Sequence, residues 1–179
     1  MFRMRFLNYY FLKIRFFLMG FLLLVGNSVL ADSMVVNVTG QILPASCTVQ
    51  PINNVNLGDI RDVDMFDVGD VSSSVPFQIK LTDCPATLTK VTAQFAGAQD
   101  AINKDLYANI VGNGFATGLG IQLLDADHGD VKIPPAGEIQ TSVVNSNAIF
   151  NLKARAVTTT VNPMTGDIET CVTVTFIYQ

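Results

Sequence analysis

The chain has 179 residues, 49% hydrophobic and 15% charged, with fifteen acids against eleven bases. Four of the bases, Arg3, Arg5, Lys13 and Arg15, sit in the first fifteen residues, so the rest of the chain sets seven bases against fifteen acids, a net charge of about −8. A surface that acidic repels phosphate backbones, and nucleic acid is not an expected partner.

In chain order, residues 1–31 come first and are unlike all that follows. The basic start leads into the apolar run Phe16 to Val25, interrupted only by Gly20, and Val29-Leu30-Ala31 supplies a cleavage site. This is the pattern of a secretion signal. A transmembrane anchor fits less well, because Lys13 and Arg15 leave about ten clean residues where a span needs roughly 20. Cleavage before Asp32 leaves enough chain for one domain with a real core.

Short β-branched and apolar segments then recur between turn-forming clusters. They are "VVNVTGQI" from Val35, "CTVQ" from Cys47, "VPFQIKLTDC" from Val75, "KVTAQFAG" from Lys90, "GLGIQLLD" from Gly118, "AIFNLKARAV" from Ala148 and "CVTVTFIYQ" from Cys171. Asn53-Asn54, Asp83-Cys84-Pro85, Gly112-Asn113-Gly114, Asp127-His128-Gly129 and the 162–166 run bound them. No segment keeps a helical period, and the acidic stretch 56–74 predicts a long connection with a brief strand or helical turn. The whole predicts an all-β sandwich in one domain.

Alternation assigns the faces. Phe77, Ile79 and Leu81 share one side of their segment, and Phe150, Leu152, Ala154 and Ala156 one side of theirs. In the last segment Val172, Val174, Phe176 and Tyr178 form the core face, which leaves Cys171 on the outer or edge side.

Candidate chemistry is sparse. The lone histidine, His128, falls in the turn "DADHGD" and reads as a surface residue; without it no Ser-His-Asp set can form, and no enzyme activity is expected. Asp125, Asp127 and Asp130 in that turn lack the twelve-residue EF-hand order and its closing Glu, so neither metal nor cofactor is expected. Asp favours turns for its own reasons. "NVT" at Asn37 to Thr39 matches a glycosylation sequon. Three cysteines, Cys47, Cys84 and Cys171, follow the leader. Export permits a disulfide, the odd number leaves one thiol over, and spacing does not decide which.

"GQILPASCTV", "VNLGDI", "VPFQIKLTDCP", "KVTAQFAG", "GLGIQLLDADHGD" and the closing "VTFIYQ" appear in an order and spacing by which the chain resembles a chaperone–usher pilus subunit of the type 1 fimbrial protein family. The resemblance implies an incomplete immunoglobulin-like sandwich, all-β and lacking its seventh strand, completed by donor-strand addition. It divides the chain into a signal peptide, 1–31, a donor-strand extension, 32–40, and a pilin domain, 41–179. It pairs Cys47 with Cys84 and leaves Cys171 unpaired, either as an inert, partly covered thiol or bonded to another subunit. It makes Val172, Val174, Phe176 and Tyr178 the acceptor groove and the chaperone's pairing surface. Met34, Val36 and Val38 become the inward residues of a donor strand, with Gly40 where the strand approaches closely.

The implied partners are a periplasmic chaperone, an outer-membrane usher and neighbouring subunits arranged head to tail. The implied route runs through the periplasm to fimbriae on a bacterial surface, where the assembly supports cell adhesion. A chain that reaches "GQILPASC" so soon after its leader lacks the separate receptor domain of the family's tip adhesins. The competing reading is a secreted carbohydrate- or receptor-binding sandwich that completes its own fold.

Overall fold

β-Branched residues lose little in an extended backbone, and period-2 alternation lets each strand bury one face. The computed structural model describes residues 37–39, 46–52 and 54–179. The chain divides into two units, Met1–Ile42 and Leu43–Gln179. In the first, Asn37, Val38 and Thr39 are exposed and in no strand; the expected leader, the rest of the extension and the expected cleavage site lie outside the described residues.

The second unit carries nine strands among the described residues: β1 (Thr48–Val49), β2 (Val75–Thr82), β3 (Lys90–Gly97), β4 (Tyr107–Ala108), β5 (Leu119–Asp125), β6 (Val131–Ile133), β7 (Glu138–Ser142), β8 (Ala148–Thr158) and β9 (Val172–Tyr178). One sheet runs β1-β2-β8-β5-β4, with β6 also on β5, and the other runs β7-β3-β9. Every paired strand is antiparallel. A single 3-10 turn, Asp62–Asp64, lies in the acidic connection, where a brief helical turn or strand was expected.

The core forms between the two sheets, on β2 and β8 from the faces that alternation assigns. Ile79 and Leu81 of β2, Phe150, Leu152 and Ala154 of β8, and Ile121 and Leu123 of β5 meet Val91, Ala93 and Phe95 of β3. Tyr107 is sealed among them and its hydroxyl donates to the Pro134 carbonyl at 3.1 Å. Burial pushes that phenol up to about 12, because the phenolate would lose its water. Gly97 is required beside it: a Cβ there would lie 2.7 Å from the Tyr107 ring.

Cys47 is bonded to Cys84, which ties the start of the first sheet to the turn after β2. Cys171 is free, precedes β9 and is exposed. The expectation of a partly covered thiol is therefore corrected: the chain approaches β9 through a surface segment, and the strand's alternation directs position 171 outward.

Candidate functional site

The site is an edge. β9 pairs with β3 along its whole length, from Gly97 opposite Val172 to Val91 opposite Tyr178. Among the described residues nothing pairs with its other side. An edge strand presents a row of free N–H and C=O groups that another strand can use.

Burial shows that the edge is unfinished. Val91, Ala93 and Phe95 of β3 are 0%, 0% and 1% exposed. Their partners on β9, Tyr178, Phe176 and Val174, are only half-buried, as is Val172. These four side chains do face the core: Phe176 packs on Phe150 with ring centroids 6.2 Å apart. The seal that is complete over β3 therefore fails one strand further on. Four apolar side chains in alternation leave a strip that one more strand would cover.

The edge at β7 differs. Ile139 is apolar but Thr141 follows it, and Glu138, Gln140 and Ser142 face outward. Sequence reading did not foresee β7, although the alternation of Ile139, Thr141 and Val143 carries its signal. β4 and β6, of two and three residues, are too short for periodicity to find.

The groove residues assigned by resemblance, Val172, Val174, Phe176 and Tyr178, thus lie together on one face of one strand. Of the assigned donor residues, Val38 is exposed, while Met34, Val36 and Gly40 lie outside the described residues.

The "DADHGD" turn is a β5–β6 hairpin, and its carboxylates are separately engaged. Asp125 accepts the Asp127 backbone N–H at 3.0 Å and holds His128 Nδ1 at 2.7 Å. Asp127 accepts from Asn151 Nδ2 at 2.8 Å, and Asp130 pairs with Lys153 at 2.8 Å. Each acid fixes a different part of the turn.

The sequence profile of the fimbrial protein family matches residues 36–179. The chain belongs to the fimbrial protein family. It is 32% identical to the fimbrial-like protein YdeR of Escherichia coli K12 over 166 residues, covering 92% of this chain and 96% of that one. It is 34% identical to the S-fimbrial adhesin protein SfaS of Escherichia coli O6:K15:H31 over 160 residues, 89% of this chain and 93% of that one. In fold it matches the P pilus rod subunit PapA with a TM-score of 0.60 at 16% identity, over 74% of this chain and 99% of that one.

The fold is the incomplete immunoglobulin-like sandwich of fimbrial subunits, with an edge strand missing. This fimbrial protein is a structural pilus subunit.

Proposed function

We propose that Val172, Val174, Phe176 and Tyr178 are the acceptor surface of this subunit, and that a neighbour's Met34, Val36, Val38 and Gly40 fill it. The observation that carries the reading is the contrast across one ladder: β3 is sealed, while β9, opposite it residue by residue, is not. An added strand extends the sheet through main-chain hydrogen bonds and places alternate side chains in the apolar strip. Burying each such side chain contributes about 1.5–3 kcal/mol before ordering costs. Each added hydrogen bond contributes about 1 kcal/mol net.

The donor-bearing extension and the acceptor strand are different surfaces of one chain, so the contact is heterologous and propagates a fibre. Release requires a whole strand to unzip, which makes the fibre kinetically durable. Before assembly the same strip needs cover, and a periplasmic chaperone lending a strand supplies it until an outer-membrane usher exchanges it for the next subunit. In this reading the chain is exported with residues 1–31 removed, displayed on the bacterial surface, and charged with a mechanical task that involves no catalysis and no cofactor.

Deletion of residues 32–39 tests the reading. The shortened subunit is expected to bind the chaperone, because β9 is intact, and to fail to link to the next acceptor. Normal incorporation of the shortened subunit at both of its ends would overturn the assignment of the donor.

A further inference from the structure

The body has two dissimilar ends. At one lie the Cys47–Cys84 bond, the 144–147 turn and the chain end, where Thr89 and Lys90 donate to the Gln179 carbonyl at 2.9 and 3.0 Å. At the other, β2 and β5 start, β3 and β8 finish, and β9 begins.

Three loops interlock at this second end. Asn162 N–H donates to the Phe66 carbonyl at 3.0 Å, Met164 and Thr117 exchange backbone bonds at 3.1 and 3.2 Å, and Ile110 N–H donates to the Glu169 carbonyl at 2.9 Å. These loops hold large apolar side chains outward: Phe66 is 55% exposed, Val68 62%, Val111 85%, Val161 59% and Met164 68%. Isolated exposed apolar residues are ordinary, but several gathered on loops fixed to one another mark a contact surface.

The direction of the donor strand says what covers them. The extension joins the body at Cys47, at the first end. A donor running parallel to β9 would bring its own body to the acceptor's first end, where the acceptor's outgoing extension starts, and growth would be obstructed. A donor running antiparallel to β9 places Gly40 beside Val172 and leaves the acceptor's extension free, as an open heterologous chain requires. Antiparallel pairing is also slightly the more stable per residue. From Gly40 to Cys47 is seven residues, which span at most about 24 Å when fully extended. The neighbour's body is therefore held close to the end where β9 begins, and Val111, next to the Ile110–Glu169 bond, stands beside that mouth.

We infer that the end bearing Phe66, Val68, Val111, Val161 and Met164 is the seat for the body of the neighbouring subunit, a second copy of this chain presenting its Cys47–Cys84 end. The inference rests on the donor-strand reading and adds to it a second contact, outside the groove and continuous with it. The two contacts act together: the strand fixes the neighbour's position, and the apolar seat limits its rotation about the short connection.

The test separates the two readings. The double variant Val161→Asp, Met164→Asp, both exposed positions, is compared with the unaltered chain from residue 32 in two measurements. One is uptake of a labelled peptide of residues 32–40 by the unassembled chain; the other is the rate at which assembled fibres dissociate in denaturant. The variant is expected to take up the peptide as the unaltered chain does, while its fibres dissociate at least about tenfold faster. Fibres as durable as those of the unaltered chain overturn the seat. Failure of the unaltered chain to take up the peptide overturns the donor-strand reading instead. If the double variant also loses the peptide, the pair Val161→Ser, Met164→Ser is scored by the same two measurements, and unchanged fibre durability again overturns the seat.

Discussion

Phe95 and Val174 face each other in register across β3 and β9, yet Phe95 is sealed and Val174 is half open to water. Replacing Val174 by Asp would put a charge where a donor strand must exclude water. The expected result is loss of donor-peptide binding by more than about tenfold, since even one buried apolar side chain contributes about 1.5–3 kcal/mol and an unpaired buried charge costs more. Titration with a labelled peptide of residues 32–40 measures it. The outward-facing neighbour Thr173→Asp is expected to change binding little.

The Cys47–Cys84 bond closes a sequence separation of 37 residues. On the chain-entropy account its removal costs about 3–4 kcal/mol. Cys47→Ser with Cys84→Ser is expected to lower the melting temperature of the chaperone-free subunit by many degrees, read by circular dichroism, whereas Cys171→Ser, at an exposed position, should leave it nearly unchanged.

Tyr107 gives a pH dependence whose sign follows from its burial. Its folded pKa, about 12, lies above the 10.0 of a free phenol. Below pH 10 the phenol is protonated in both states and its contribution is fully present. Between pH 10 and 12 the unfolded chain releases the proton and the folded chain keeps it, so stability falls as pH rises. Tyr107→Phe is expected to flatten that part of a denaturant-melting series against pH. At neutral pH it should cost about 1 kcal/mol for the lost bond to Pro134.

Asn109 is a buried clamp between loops at the seat. Its Nδ2 donates to the Ala116 carbonyl at 2.8 Å and the Asp167 carbonyl at 3.2 Å, and its Oδ1 accepts the Glu169 N–H at 2.7 Å. Asn109→Ala strands these groups and is expected to destabilise the subunit by about 2–3 kcal/mol. Hydrogen exchange should quicken at the Glu169 amide more than at amides in the middle of β8.

The faces of β2, β8 and β9 were legible in the sequence because each strand buries one side, and alternation is then enforced by water itself. β5 was located without its faces: all seven of its residues are buried, so its pattern cannot say which side meets the core. The short strands β4 and β6 escaped notice because two or three residues hold no period. Alternation also placed Cys171 on the outer side, where it is exposed; only the expectation of a partial cover, which no pattern carries, did not hold. Asn109 was not foreseen at all: a polar residue between turn formers reads as loop, and only the meeting of the 116, 167 and 169 backbones reveals that it is buried. Groove and donor residues came from the resemblance, which supplied the idea of a partner strand that alternation alone does not contain.

In the proposed fibre, the bond between Cys47 and Cys84 determines how each body takes up load. Tension carried along a neighbour-anchored extension enters each body at Cys47, where β1 offers only two paired residues against peeling. The covalent link passes that force directly to Cys84, just past the end of β2, and β2 is held to β8 over seven paired positions. A two-residue ladder, as short as that of β4 on β5, is thereby spared the pull, and the force is handed through β2 to the longest of the described strands, β8, at the centre of the larger sheet.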